Sequence, residues 1–237
     1  MNKGLESVKQ GISTVMKTGM KRYLLLPLFF QLLLSLSILY CVDQLIYAIP
    51  FIDNSLKYLE ANYSWLANIF SFLIFLPMLI FSGFLSNILA PIILSPFLEL
   101  YAQKIFSYHN HKLPDGFVEV TFRSGIIREI KKSPYFLKLS GIILLCTIFT
   151  PFFFGITGLI GVCIAGWAIS CEYMDLIGSM HGENFERIKL SLAQNKFNTI
   201  SMGAPIAFFA TIPILNIFTP FIATACACNF WINSEHS

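Results

Sequence analysis

Leu137–Ile169 reads LKLSGIILLCTIFTPFFFGITGLIGVCIAGWAI. The run is apolar for 33 residues but is interrupted by TPFFFGITGLIG at Thr150–Gly161. Two full helical crossings need about 40 residues plus a turn, so the run is too short for an ordinary pair of spans. One kinked span fits, but a re-entrant helical hairpin explains the central break better. Ala204–Trp231 poses the same problem: it is 28 residues long and interrupted by TIPILNIFTP at Thr211–Pro220. Each region has an apolar arm, a break containing proline, small residues and a tryptophan, Trp167 or Trp231. The pentapeptide IFTPF occurs at Ile148–Phe152 and again at Ile217–Phe221, in a different register to the two tryptophans. Broken backbone at membrane depth is tolerated only where protein or a wet cavity satisfies it. Paired broken segments therefore point to a transport site.

The rest of the chain agrees with a membrane setting. Of 237 residues, 56% are hydrophobic and 12% charged, with a mean hydropathy of +0.69. A soluble domain carries about 25% charged residues, so charge is too sparse here for a water-facing surface. Tyr23–Cys41 is 19 residues long with no ionisable side chain after Arg22 except its tyrosines and cysteine. As a helix it spans about 28 Å, which matches a hydrocarbon core of about 30 Å. It is longer and later than a signal-peptide core of roughly 7–15 residues, so it is read as a retained span. Leu66–Leu98 is a second apolar run, best read as one long tilted helix with Gly83, Pro91 and Pro96 as kink positions. Val42–Trp65, with Asp43, Asp53, Glu60 and Lys57, reads as an external loop.

Before the first span, Leu5, Val8, Ile12, Val15 and Met16 recur at helical spacing, with Lys3, Glu6, Lys9, Gln10, Ser13 and Lys17 largely opposite. This pattern predicts an amphipathic helix in the membrane interface. A second amphipathic helix is expected over Phe117–Lys132, with Phe122, Ile126, Ile127 and Ile130 on one side. Two spans and two hairpins put 15 of the 16 Lys and Arg residues on one side, leaving Lys57 on the other. The positive-inside rule makes that side cytoplasmic, together with both termini.

The expected fold is an all-α integral membrane protein with two long transmembrane helices, two re-entrant hairpins and amphipathic cytoplasmic helices. It forms a single membrane domain over 1–237. Its parts are an interfacial helix at 1–19, long membrane helices at 20–98 and a basic cytoplasmic region at 99–136. The first hairpin follows at 137–171, a cytoplasmic helical region at 172–203 and the second hairpin at 204–231.

Few signs of chemistry appear. The six cysteines lie in or beside apolar runs, which favours buried structural thiols over a disulfide framework. Cys226 and Cys228 alternate with Ala223, Ala225 and Ala227, a pattern of close helix packing. His109 and His111 lack a supporting set of metal ligands, so no metal is expected. No nucleophile–base set stands out, and there is no phosphate-binding Gly-x-x-x-x-Gly-Lys-Ser/Thr loop. Enzyme activity, a cofactor, a nucleic-acid partner and intrinsic ATP drive are not expected. No carboxylate falls inside the four apolar regions, which disfavours a midplane proton relay but leaves Glu99, Glu172 and Asp175 at their boundaries.

Three segments, GMKRYLLLPL at Gly19–Leu28, SNILAPIILSPFLE at Ser86–Glu99 and TIPILNIFTPFIATACACNFW at Thr211–Trp231, resemble the CysZ family of bacterial inner-membrane sulfate permeases. The resemblance runs from about Gly11 to Trp231. It implies two long membrane helices, two hemi-penetrating hairpins, a homo-oligomer and sulfate uptake for cysteine synthesis. It also implies that Gly19, Met20, Lys21 and Arg22 form the sulfate-binding segment. Lys21 stands where the family has arginine, which keeps the charge but loses the planar guanidinium fork.

Those residue types suit an oxyanion. A glycine lets backbone approach closely, and N–H groups at a helix start are unsatisfied donors at the positive end of the helix dipole. Two cations balance a dianion, and Arg22 can donate two hydrogen bonds. The same two cations also suit a basic anchor at a membrane boundary. Glu99, Asn87 and Asn216 are candidate pore or gating residues; Glu99 alternatively pairs with a cation or caps the long helix, and the two asparagines alternatively make packing contacts. The leading function is a channel-like or gradient-driven sulfate permease in contact with membrane lipids. The alternatives are a permease for another small anion and a membrane scaffold without transport.

Overall fold

The computed structural model describes residues 2–109, 122–150, 153 and 155–235. The side chains of residues 18–24, 26–27, 76–77, 79–81, 83–92, 122–124, 126, 148, 213–214 and 235 lie outside that description. Among the described residues the elements are ten α-helices, with no strand. They are α1 (Lys3–Met16), α2 (Thr18–Tyr47), α3 (Pro50–Asn62), α4 (Ser64–Tyr108) and α5 (Phe122–Phe149). They continue with α6 (Ile156–Met180), α7 (Phe185–Gln194), α8 (Lys196–Ala210), α9 (Pro213–Asn216) and α10 (Thr219–Glu235). Among the described residues, Leu28–Tyr47 and Ile156–Met180 are long and apolar enough to cross a membrane. The chain is a helical membrane protein by this composition.

The chain divides into two compact units. One holds residues 29–91, the greater part of α2, all of α3 and the first part of α4. Its core brings Ile38 and Val42 of α2 against Met78 of α4, flanked by Leu34, Leu39 and Ile46. The region read as an external loop is mostly helical: α2 runs on to Tyr47 and α3 follows. Pro50 occupies the first turn of α3, where its missing N–H costs no internal bond. Asp53 sits in the same turn and pairs with Lys57 one turn on, Nζ to Oδ2 2.6 Å.

The other unit holds residues 1–28 and 92–237. Here α1 packs on α8 and α10, and α6 packs on α5, α8 and α10. The last turns of α4 bury Leu94, Leu98, Tyr101, Ile105 and Phe106 at helical spacing. Tyr101 meets Phe221 of α10 edge to face, with ring centroids 6.1 Å apart.

The amphipathic helix at the N-terminus exists, but its buried face is not the one its large apolar residues mark. Gly4, Ser7, Val8, Gly11 and Thr14 are buried, whereas Leu5, Ile12 and Met16 face outward. Small residues let helices approach closely, and large ones facing lipid carry no penalty. A Cβ on Gly11 would stand 2.6 Å from Cys226 Sγ and 2.8 Å from its backbone N, so only glycine fits. Asn2 secures the start of α1: its Oδ1 accepts from the Gly4 N–H at 3.1 Å and from Ser201 Oγ of α8 at 2.7 Å.

The helix expected over 117–132 starts, as far as the described residues reach, at Phe122 and continues through Pro134 to Phe149. The first break falls between α5 and α6, where Gly155 takes a positive φ of 82° as the N-cap of α6. The second holds the single turn α9. The two IFTPF copies are not equivalent: the first closes α5, whereas the second leads into the start of α10. Proline near the front of α10 is compatible with helix, and Pro151 of the first copy lies outside the described residues.

Candidate functional site

At α5, Arg128, Glu129 and Lys132 fall within one helical turn and share a face. Opposite them, Asp175 and Ser179 lie one turn apart on α6, and Glu99 lies near the end of α4. Arg128 Nη2 donates to Glu99 Oε1 at 2.9 Å, and its Nη1 donates to Ser179 Oγ. Lys132 Nζ sits between Glu129 Oε1 at 2.9 Å and Asp175 Oδ2 at 2.8 Å. The Arg128 guanidinium also lies 3.7 Å from Glu129 and 3.9 Å from Asp175. Lys132 and Asp175 side chains are 4% and 1% exposed, so this is a buried charge cluster that ties three helices together.

The network is closely paired but not saturated: among the described residues, Arg128 Nε and Asp175 Oδ1 are buried without a hydrogen-bond partner. Two cations face three carboxylates, and Glu172 adds its field at Lys132. Burial opposes the charge on Lys132, but Glu129 and Asp175 outweigh it and its pKa is raised. Burial also raises the pKa of Glu99, and the neighbouring Arg128 only partly offsets that. A sulfate dianion placed here would meet excess negative charge, so the cluster has the chemistry of a structural lock or a gate rather than of an anion site. Sequence reasoning singled out Glu99, Glu172 and Asp175 as boundary carboxylates but missed their convergence with Arg128, Glu129 and Lys132. One-turn spacing marked a charged face on α5 (Arg128, Lys132) and on α6 (Glu172, Asp175), but no local signal marked their meeting with Glu99 of α4.

The other site begins where α1 stops. Lys17 leaves the helical conformation (φ −70°, ψ 139°) and α2 starts at the next residue. Gly19, Met20, Lys21 and Arg22 therefore occupy the first turn of a 30-residue helix. The N–H groups of the first helical turn lack intrahelical acceptors, which here means those of Thr18, Gly19 and Met20. The side chains of Met20, Lys21 and Arg22 lie outside the described residues. The junction is held from the other side: Lys17 Nζ donates to Tyr108 Oη at 2.6 Å and stands 4.2 Å from the centre of that ring.

Of the candidate pore residues, Glu99 enters the charge cluster, consistent with its expected pairing to a cation. Asn216 ends the short α9 and is half-buried. The Asn87 side chain lies outside the described residues. His109 stacks edge to face on Tyr108, and His111 is outside the described residues. Among the described residues no group of three or more His, Cys, Asp or Glu could hold a metal. All six cysteines are free; Cys171, Cys226 and Cys228 are buried as expected, whereas Cys41 and Cys163 are exposed.

Residues 7–220 match the family described as sulfate transporter CysZ/etoposide-induced protein 2.4. The chain belongs to this family. A relative from Vibrio atlanticus, named sulfate transporter CysZ, is 27% identical over 233 residues, covering 94% of this chain and 89% of its own. One from Vibrio cholerae with the same name is 26% identical, covering 96% and 93%. A third, from Pseudomonas fluorescens, is 23% identical, covering 98% and 94%. The CysZ match spans both breaks and the α1–α2 junction, so it extends to the elements that carry the candidate site.

Proposed function

We propose that this protein is a sulfate permease of the bacterial inner membrane that moves sulfate in a channel-like or gradient-driven way. The observation that carries the reading is the family match over residues 7–220, with relatives named as sulfate transporters across nearly their whole length. Sulfate docks at the start of α2, where free N–H groups, Lys21 and Arg22 together balance a dianion. One helix terminus contributes only about 0.3–1 kcal/mol per charge, so the cations and a partly wet path are needed to replace hydration. A weak site suits permeation, because the ion must also leave. The imported sulfate would supply sulfur for cysteine synthesis.

The α5–α6 and α8–α10 pairs act as re-entrant hairpins in this reading. From the first break, the uncharged arms run to Leu139 and Ile169, only about 17–21 Å of helix each, short of a core of about 30 Å. Both termini and the charge cluster then lie on the cytoplasmic side, α1 in the interface, and assembly is homo-oligomeric. Lys21 favours a second selectivity, for another small oxyanion, over loss of transport. The test is sulfate entry into vesicles containing this protein alone. Partner capture without any flux would favour a membrane scaffold instead.

A further inference from the structure

Away from both sites, α5, α6 and α8 line an open surface groove of about 540 Å³. Its wall on α6 is a helical stripe, Leu159, Ile160, Cys163, Ile164 and Trp167, completed by Leu139, Lys196 and Ile200. The volume lies within the roughly 300–1,000 Å³ of small-ligand sites. Its lining is apolar over about 12 Å, the rise from Leu159 to Trp167 along a helix. Leu159 and Ile160 are well exposed at the end nearest the α5–α6 break. At the opposite end stand Trp167 and Lys196.

Two features give the groove a polarity. The Trp167 indole N–H already donates to Tyr135 Oη at 2.8 Å, so its ring offers the groove only apolar surface. Lys196 is exposed and has no hydrogen-bond or ion-pair partner among the described residues, unlike Lys189 nearby, which pairs with Glu186 at 2.5 Å. Lys196 also opens α8, at the positive end of that helix. No lining residue is acidic. A long apolar slot closed by one unpaired cation matches an anionic amphiphile, with its chain in the slot and its charge on the ammonium.

We propose that this groove is a binding site for an anionic phospholipid, one acyl chain along Leu159–Trp167 and the phosphate on Lys196. The proposal rests on the placement of the α5–α6 arms in the membrane, and not on sulfate as the permeant. It puts the headgroup on the cytoplasmic side, where anionic lipid attracts basic residues.

The test uses the full chain with Trp65→Phe and Trp231→Phe, leaving Trp167 as the only tryptophan. The protein is placed in phosphatidylcholine vesicles containing a small fraction of lipid with brominated acyl chains. That quencher is carried either by phosphatidylglycerol or by phosphatidylcholine. Brominated phosphatidylglycerol should quench about fivefold more effectively, the ratio that corresponds to about 1 kcal/mol per basic residue at an anionic surface. Lys196→Gln should remove the preference, Lys196→Arg should keep it, and Cys163→Phe, which fills the slot, should weaken quenching by both lipids. Equal quenching by the two lipids, or a preference that survives Lys196→Gln, overturns the proposal. So does an unquenched Trp167 in an oligomer, which would assign this face to a second copy. Sulfate flux in the same vesicles separates the two claims: flux without lipid preference removes the lipid site and leaves the permease.

Discussion

Replacing Lys132 by methionine is the sharpest perturbation of the folded state. Its ammonium lies 2.9 Å from Glu129 and 2.8 Å from Asp175, and both it and Asp175 are nearly inaccessible. Methionine keeps most of the volume but leaves Asp175 with only the guanidinium of Arg128 at 3.9 Å. Removing one member of a buried ion pair costs about 3–5 kcal/mol, because the remaining charge stays desolvated. For a chain of this size each kcal/mol shifts the unfolding midpoint by roughly 2–4 °C, which gives a loss of about 6–20 °C. The assay is thermal unfolding of purified protein in lipid nanodiscs, followed by tryptophan fluorescence. Adding Asp175→Leu should recover most of the loss, since an apolar pair in place of a buried ionic one is often neutral or stabilising. A single-mutant loss under about 4 °C, or a double mutant no better than the single, would refute the view that these charges sustain each other.

Two further outcomes follow from packing and charge. Gly11→Leu should lower stability by at least the roughly 1–3 kcal/mol of an overpacked site, because Cys226 leaves no room for a side chain; a melting midpoint equal to wild type would contradict the contact. Glu99 has a raised native pKa, so the native state holds its proton more tightly than the unfolded chain does. Its contribution to stability therefore falls as pH rises from the ordinary glutamate value of 4.5 through the raised one. Melting against pH should show this slope in wild type and lose it in Glu99→Gln, and identical profiles would refute the burial argument.

Much of the fold was legible because membrane sequence is strongly patterned. The first span, the two breaks and the amphipathic start all appear as helices or interruptions near the expected places. The packing face of α1 was not legible. Hydrophobic periodicity marks Leu5, Ile12 and Met16 as the face for the membrane interface, and they are exposed on the protein, but it says nothing of which residues meet α8 and α10. Shape then selects Gly4 and Gly11. The Val42–Trp65 region was read from its charges as loop, yet Pro50, Asp53 and Lys57 together are a helix-start signal. Gly19 to Arg22 fall at the start of α2, where the sequence places the beginning of the first long helix. The meeting of Glu99, Arg128, Lys132 and Asp175 joins three distant helices, and no local pattern specifies it.

The central claim is that this chain passes sulfate by way of the start of α2. The most direct measurement is labelled-sulfate entry into vesicles containing wild type, Arg22→Ala or, as a control cation on α5 rather than α2, Arg123→Ala, at equal folded amounts under imposed sulfate and ion gradients. The account predicts entry above protein-free vesicles for wild type and Arg123→Ala, and a clear reduction for Arg22→Ala. No entry under any gradient would contradict the permease, and equal entry by Arg22→Ala and Arg123→Ala would remove the start of α2 from the path.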